Sequence, residues 1–478
     1  MLALSPIHFL SLALTLALII GVIGWSARSV SSAEGFSLAG RSSGAVLIAG
    51  GIVATCIGGS ATVGTAQFAF SVGLSGWWFT LGMGVGLLLM AFFYARPLRR
   101  SQLETLPQFL ALHYGPAAGP LTSIISSLGT LFSIVASSLS ALALMHALFG
   151  LQAWEGAAAV IVLSAACVFF GGLKSAEVAG ALKIVLIWGS VCVGGVVATL
   201  ALSRLPDFSA TFPAFPWFSL AGRGMGDALG NLASLIAGML CTQPYIQAIY
   251  SATDARVARL GAVLAAAVTI PVGLPSVAIG MFMHAVHPEI TPILALPLYV
   301  VLYLPPWLGG VALAAILFSV IGSIAGLALG IGTMVSRDIG MGMLGLWRDR
   351  TVLRTNRLAV LAATALGAGI ALANPDSYVL DWNYLSMALR AGGVVLPMSL
   401  AIFWPGHLSR RWALGAMAGS TAMALAGRFL LGLTVSPMFV AFGLSVVLAG
   451  GGLLAGALAA SRHRGAGVAP SAPPKILH

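Results

Sequence analysis

The feature that most constrains the fold of this chain is a succession of apolar stretches, each about 20 residues long and almost free of charge. The first is "PIHFLSLALTLALIIGVIGW", which starts at residue 6, and similar stretches recur up to residue 460. A helix that crosses the hydrocarbon core of a bilayer needs about 20 residues, at a rise of about 1.5 Å per residue. Only 7% of the residues are charged and 59% are hydrophobic, which excludes a soluble globular domain. The sequence therefore predicts an all-α, polytopic membrane protein.

This length criterion predicts thirteen membrane helices. They lie near residues 6–26, 44–72, 76–95, 118–149, 152–171, 177–202, 224–251, 257–286, 306–336, 357–374, 379–404, 410–433 and 437–460. We expect residues 1–460 to form a single transmembrane domain. The Pro- and Ala-rich segment 461–478 is predicted to be a short disordered cytoplasmic tail. The four cysteines lie inside apolar stretches without metal-ligand spacing, which predicts reduced core residues.

The positive charges predict an orientation. With the N-terminus outside, most of the 23 Lys and Arg residues fall in cytoplasmic segments, as expected for a bacterial-type inner membrane protein. The C-terminus is then cytoplasmic. This distribution accounts for the net charge of +11 through the lipid bilayer, without nucleic acid as a partner.

Two of the predicted helices are irregular. Residues 54–67, "ATCIGGSATVGTAQ", combine glycines and hydroxyl residues with Gln67 inside the second helix. One interpretation is close helix packing through small residues. The other is a helix that breaks near the middle of the membrane, so that free carbonyls and hydroxyls can bind an ion or a solute. Gln67, with two donors and two acceptor lone pairs, favours the second interpretation.

The second irregular segment lies in the seventh helix. There, Pro244 removes a backbone donor within the membrane, and Thr242, Gln243, Tyr245 and Gln247 surround it. The seventh helix is the fifth helix after the second, which carries the other irregular segment. Paired interruptions at corresponding positions are typical of transporters built from inverted repeats, which bind their solute at the interface between the repeats.

On these residues the chain resembles the sodium:solute symporter family. The similarity runs through "GFSLAGRSSGAVLIAGGIVATCIGG" (35–59), "GLSGWWFTLGMGVGLLL" (73–89), "ETLPQFLALHYG" (104–115), "GGLKSAEVAGALK" (171–183), "TQPYIQAIYSATDARVARLGA" (242–262) and "PPWLGGVALAAILFSVIGSIAGLALGIGTMVSRDI" (305–339). The GRS turn, the LPQFL element and the S-R-D-I helix end are the most specific of these motifs.

The resemblance implies a five-plus-five inverted repeat made of helices 2–6 and 7–11, with one helix before it and two after it. It also implies alternating access to a central solute site and a sodium ion where the break in helix 2 meets helix 9. Matched to the family motif, the sodium ligands are the carbonyls of Ala54, Ile57, Ser319 and Gly322 and the hydroxyl of Ser323. Oxygen ligands suit a hard cation.

The chain also departs from the family pattern. Gly322 stands where the family usually offers a hydroxyl, and Cys56 stands where some members have an Asp. In the sixth helix, the family's W-T-D-x-x-Q reads "AGALK", with Gly180 at the position of the Asp and Lys183 at that of the Gln. These departures weaken the expectation of sodium binding and make a second sodium site doubtful.

Lys183 admits two interpretations. Its side chain could extend to the cytoplasmic interface beside Lys174. Alternatively, its ammonium replaces the cation at a site that has lost ligands at Gly322 and Gly180, as the resemblance implies for a lysine on the fifth core helix of some transporters of this fold. Removal from water favours the neutral amine, so such a lysine could exchange a proton in each transport cycle. The second interpretation predicts proton coupling in place of sodium coupling.

The solute site is predicted from polar residues near the two breaks and from one intramembrane arginine. The candidates are Gln67, Gln243, Tyr245, Gln247 and Arg390. A buried arginine needs a partner or a cavity. Arg390 could bind the carboxylate of an anionic solute with its two-pronged guanidinium, or it could pair structurally with Asp381 or Glu177.

These observations predict a secondary active transporter, not an enzyme, because no nucleophile or metalloprotease motif lies within the helices. Its expected partner is a small organic solute, and the coupling ion is sodium or a proton. Two alternatives stay open. One is a transporter-like sensor that signals through a separate partner, and the other is an uncoupled facilitator.

Overall fold

The computed structural model describes residues 4–27, 38–205, 208–432 and 436–465, and these ranges are helical apart from connecting turns. The α-helices of six residues or more are α1 (Pro6–Ala27), α2 (Ala45–Cys56), α3 (Thr65–Val72), α4 (Trp78–Leu89), α5 (Ala95–Arg100), α6 (Leu106–Tyr114), α7 (Ala118–Phe149), α8 (Ala153–Ile187), α9 (Val193–Leu202), α10 (Met225–Leu240), α11 (Gln243–Tyr250), α12 (Ala255–Val286), α13 (Ala295–Tyr303), α14 (Pro306–Met334), α15 (Asp349–Leu372), α16 (Val379–Arg390), α17 (Leu396–Phe403), α18 (Arg410–Leu425) and α19 (Pro437–Gly465). The predicted all-α class is confirmed.

Eleven helical stretches of the described residues are long and apolar enough to cross a membrane. Two features explain why eleven stretches are counted where thirteen helices were predicted. The stretch Ser60–Arg100 is continuous enough to count once, although it includes α3, α4 and α5. The helix Ala45–Cys56 is apolar but shorter than a full crossing, and α8 is counted from Ala176 onward because its side chains at 169–175 lie outside the described residues. Thirteen membrane crossings therefore stay a prediction.

The sequence predicts a turn between residues 171 and 177, but the backbone there is helical from Ala153 to Ile187. This interval contains two glycines and no proline, so every backbone donor needed for continued helical hydrogen bonding is present. The side chains of residues 169–175, including Lys174, lie outside the described residues. The same is true of Arg28, one of the arginines in the predicted cytoplasmic segments, and of positions 466–478 of the predicted tail.

Both predicted helix interruptions are present. Helix α2 ends at Cys56, Ile57 leaves the helical conformation (φ −91°, ψ 84°), and a π-helical turn, Ser60–Gly64, leads into α3. Helix α10 ends at Leu240, two non-helical residues follow, and α11 begins at Gln243 with Pro244 in its first turn. A proline is tolerated there because the first backbone N–H groups of a helix have no partner within that helix. The interruptions bring free backbone carbonyls into the middle of the bundle.

Small residues also allow close packing, so the first interpretation of the glycine-rich segment holds as well. A Cβ atom on Gly180 of α8 would lie 1.9 Å from the carbonyl oxygen of Gly50 on α2. A Cβ atom on Gly50 would lie 2.3 Å from the carbonyl oxygen of Glu177. The backbones of α2 and α8 are therefore in direct contact, and a side chain at either glycine would push them apart.

This contact gives a stability prediction. We expect Gly180→Ala to destabilise the protein by about 1–3 kcal/mol, the usual cost of overpacking a tight core. Gly322→Ala is the matched control, because only the Phe318 ring, at 4.0 Å, approaches a Cβ atom at that position. Thermal unfolding in detergent, followed by tryptophan fluorescence, compares the two variants. Equal unfolding midpoints for the two variants would show that α2 and α8 can move apart without loss of stability.

Two ends of the bundle are distinguished by their contacts. At the end that we call the Arg-rich end, Arg99 donates to the carbonyls of Ala252 (2.6 Å) and Thr253 (3.3 Å), and Arg337 pairs with Glu104 at 2.9 Å. The opposite end, which we call the aromatic end, is covered by the segment 208–224. There the ring centroids of Trp217 and His284 lie 4.5 Å apart, on two different elements.

Candidate transport site

The side chain of Lys183 lies at the break between α2 and α3. Its Nζ donates to the carbonyl oxygens of Ala54 and Ser319, both at 2.9 Å, and to the hydroxyl of Ser323 at 3.1 Å. The residue is 2% exposed. The structure thus brings Lys183 together with three of the five residues predicted to bind sodium.

The two remaining predicted ligands are placed differently. The carbonyl of Ile57 accepts a hydrogen bond from the hydroxyl of Ser319 at 2.8 Å, which joins α14 to the broken helix. Gly322 contributes no side chain, and the space beside it adjoins a cavity lined by Ile23, Lys183 and Phe318. A hydroxyl at position 322 would therefore have room.

The hydrogen bonds of Lys183 account for the whole donor capacity of an ammonium group, which has three N–H bonds. All three acceptors are uncharged, and no ion pair of Lys183 occurs among the residues that the structure describes. The same oxygens cannot hold a sodium ion at the same time, because two unit positive charges at contact distance repel strongly away from water. The site fits a fixed cation in place of a mobile one.

A small central cavity lies between the two helix breaks. It is lined by Thr55, Cys56, Gly58, Ser60, Phe79, Met83, Ser133, Ser137, Tyr245, Leu327, Asn383 and Met387. About 10 Å³ of it is open to the centre of a water molecule, which leaves room for roughly one water. A larger solute can enter only if the lining side chains or the surrounding helices move.

Arg390 lies directly behind one wall of this cavity and is 0% exposed. Its guanidinium donates to the hydroxyls of Thr242 (2.7 Å), Ser386 (2.7 Å) and Ser133 (3.1 Å). Ser133 in turn donates to Oδ1 of Asn383 at 2.9 Å, and both of these residues line the cavity. The positive charge is one layer of hydroxyl groups away from the space where a solute would bind.

The two structural partners considered for Arg390 are engaged elsewhere. Asp381 pairs with Arg223 at 2.9 Å. Glu177 accepts hydrogen bonds from the hydroxyls of Ser43 (2.6 Å) and Ser251 (2.8 Å). Within the described ranges, Arg390 has only neutral hydrogen-bond partners, so its charge is solvated by hydroxyl and carbonyl dipoles instead of a carboxylate.

Of the other residues predicted to bind solute, only Tyr245 lines the central cavity. The amide of Gln247 donates to the hydroxyl of Thr333 at 3.4 Å. Gln67 and Gln243 each hydrogen-bond a backbone group of another helical element, as described below. Solute binding by these residues stays a prediction.

Sequence reasoning missed Ser133, Ser386 and Asn383, which connect Arg390 to the cavity. The signal was present for Ser133, because α7 carries many hydroxyl residues on an otherwise apolar helix. Such residues are common in membrane helices as packing and hydrogen-bonding groups, so this signal by itself does not single out a site.

The fold and the site define a class of protein: a multi-pass membrane transporter whose central site lies between two interrupted helices. The profile of the sodium:solute symporter family matches residues 36–423, and the chain belongs to this family. It is therefore a secondary active symporter, and its relatives in the family are transporters, not enzymes. No curated protein sequence matches the chain.

Solved structures agree on the fold. A Na⁺-coupled sialic acid symporter, in a substrate-bound outward-open state, has a TM-score of 0.78 and 15% sequence identity, over 95% of this chain and 98% of that one. A nucleobase-cation-symport-1 family transporter, in a closed conformation with bromovinylhydantoin bound, has a TM-score of 0.60 and 13% identity, over 92% of this chain and 97% of that one.

Proposed function

We propose that this symporter imports a small organic anion and that the ammonium of Lys183 takes the place of sodium, so that transport is coupled to protons. The observation that carries the proposal is the position of Nζ, 2.9 Å from the carbonyl oxygens of both Ala54 and Ser319. These are two of the oxygens that the family resemblance assigns to sodium.

The chemistry of the site supports proton exchange at Lys183. The ammonium stabilises the break in the α2–α3 helix by donating to the carbonyl of Ala54, as a bound cation would bind it, and the hydroxyl of Ser323 donates to the same oxygen at 3.0 Å. Loss of its proton removes the charge and one donor, which weakens the link between α2 and α14. A change of protonation can therefore alter the packing of the two elements that alternating access must move.

The charge of Arg390 supports an anionic solute. Burial of an arginine without a carboxylate partner is costly, and an anion in the central cavity would offset that cost. Asn383, Ser60 and Tyr245 line the cavity and supply further donors for carboxylate oxygens. The guanidinium could contact the anion directly if the hydroxyl of Ser133 turned aside.

We also propose that the protein lies in the inner membrane of the cell and that its Arg-rich end faces the cytoplasm. Arg99 and Arg337 lie at this end, and positively charged residues favour the cytoplasmic side. The predicted outside location of the N-terminus follows from the same rule.

The test is uptake into proteoliposomes with imposed ion gradients. A thermal-shift screen of amino acids, short carboxylates and sugars first identifies a solute that stabilises the protein. We expect uptake of that solute to be unchanged when sodium is replaced by potassium, and to require an inward proton gradient. Strict dependence on sodium would refute the role of Lys183 and support the sodium-coupled mode of the family. If the protein accumulates only neutral solutes, the proposal that its solute is an anion is refuted.

A further inference from the structure

Gln67 joins two helices at the aromatic end. It lies on α3, the second half of the first broken helix, and is 7% exposed. Its Oε1 accepts a hydrogen bond from the backbone N–H of Val379, the first residue of α16, at 3.1 Å. A second contact at this place joins the hydroxyls of Ser71 and Tyr378 at 3.0 Å. The end of α3 is thus tied to the start of α16.

Gln243 makes the equivalent contact at the Arg-rich end. It is the first residue of α11, the second half of the other broken helix, and it is 0% exposed. Its Oε1 accepts from the backbone N–H of Leu106, the first residue of α6, at 2.9 Å. Its Nε2 donates to the carbonyl of Glu104 at 3.2 Å. Both ends of this amide are therefore used by the segment 104–106.

The segment 104–106 is itself fixed to the π-helical turn Val335–Met341 that continues α14. The hydroxyl of Thr105 donates to Oδ1 of Asp338 at 2.8 Å, and Nε of Arg337 lies 2.9 Å from Oε2 of Glu104. The LPQFL element and the S-R-D-I helix end therefore meet here. Through Gln243, they contact the broken helix as well, and α14 is also the helix that carries Ser319 and Ser323.

We propose that Gln67 and Gln243 are the two latches of the transport cycle, one at each end of the molecule. In each, a buried glutamine on a broken helix accepts the first backbone N–H of another helix, which has no partner within its own helix. Opening of one end separates the glutamine from that N–H. Both latches are closed here, and the central cavity between them is nearly filled.

The mechanism rests on the proposed transport function, because alternating access requires that one latch opens while the other stays closed. The closed latch satisfies a buried N–H group that would otherwise be costly to leave unpaired. Loss of one glutamine should therefore favour opening at its own end only. A general loss of stability would affect both ends alike.

Sided labelling of Cys56 tests this inference. Cys56 lines the central cavity, and Cys167, Cys192 and Cys241 can be replaced by alanine to leave it as the single thiol. Gln67→Met and Gln243→Met keep the length of the side chain but remove the acceptor. A membrane-impermeant maleimide is then applied to right-side-out or inside-out vesicles, and the rate of Cys56 modification is measured.

We expect Gln67→Met to speed labelling from outside, and Gln243→Met to speed labelling from inside, each by about fivefold or more, the lower end of typical coupling between sites. Each variant is the control for the other. Gln67→Asn and Gln243→Asn, which are one methylene too short to reach, should act in the same directions. If one of the methionine variants does not fold, as judged by its elution profile in detergent, its asparagine counterpart gives the answer.

The proposal that these glutamines are latches would be overturned by unchanged rates of Cys56 labelling. It would also be overturned if both variants changed the rate equally from both sides of the membrane. The assay does not depend on the coupling ion or on the charge of the solute. Failure of the proton-coupling proposal would therefore leave a positive labelling result intact, and failure of the latches would leave sodium-independent uptake intact.

Discussion

Replacement of Lys183 by glutamine is expected to abolish accumulation of the solute while the protein remains folded. With one proton per solute, an inward gradient of one pH unit supplies about 1.4 kcal/mol, enough for about tenfold accumulation by the wild type. Glutamine can still donate to the carbonyls of Ala54 and Ser319, which lie 2.9 Å from Nζ in the structure, but it has no proton to exchange. The ratio of internal to external solute should fall to about 1.

The measurement is uptake at steady state in proteoliposomes, with and without the pH gradient. Counterflow exchange of labelled solute, which needs no coupling, distinguishes an uncoupled carrier from an unfolded one. Lys183→Ala should also lose accumulation, and it removes the hydrogen bonds to Ala54 and Ser319 and leaves a void at a buried position, so its thermal stability should fall further than that of Lys183→Gln. Tenfold accumulation by Lys183→Gln would show that the proton is carried by another group.

A double variant tests whether the site can still bind sodium once Lys183 is replaced. Gly322 lies where the family usually offers a hydroxyl, and the space around a Cβ atom there is open to 4.0 Å. In Lys183→Gln with Gly322→Ser, the oxygens of Ala54, Ser319, Ser323 and the new serine are free of the ammonium. Stimulation of uptake by sodium in this variant alone would be the strongest support for replacement of the ion by Lys183.

The sequence predicted the broken helices because their signals are local. Glycines next to hydroxyl residues weaken a helix where they stand, and Pro244 removes a backbone donor at its own position. The location of Lys183 near the α2 break was also predictable, because the family resemblance supplied the helix packing that a sequence by itself lacks. The surrounding contacts in the structure agree with that placement.

The partners of the two glutamines were not predictable in this way. Gln67 was assigned to the solute because it is polar and lies close to a break, but its acceptor is used by Val379, 312 residues away in the chain. Gln243 lies 137 residues from Leu106. A side-chain amide in a membrane helix must find some hydrogen-bond partner, and which one it finds depends on the assembled bundle.

Gly180 shows a different limit of prediction from the sequence. Its alignment with an acidic residue of the family suggested the loss of a sodium ligand. In the structure, the α2 backbone lies so close that any side chain at position 180 would collide with the carbonyl of Gly50. The glycine is required by the packing of α2 on α8, and this packing also brings Lys183, one helical turn further along, to the break in α2.

Arg390→Lys should weaken binding of an anionic solute by about 1–3 kcal/mol, or roughly fivefold to more than a hundredfold, because it keeps the charge but loses the planar, forked donor. The guanidinium contacts three hydroxyls, on Thr242, Ser133 and Ser386, that belong to three different parts of the bundle. A lysine ammonium on a shorter, single-pronged side chain cannot reach all three together with a carboxylate.

The dissociation constant of the solute from the screen, measured by calorimetry, is compared with that of its neutral amide analogue in both proteins. If Arg390 acts on the solute charge, the substitution costs more for the carboxylate than for the amide. If Arg390 only holds α16 against α7 and the break between α10 and α11, both ligands lose affinity equally, and the protein without ligand unfolds at a lower temperature. The difference between the two ligands thus separates the roles, because a structural arginine has no means of sensing the charge on the solute.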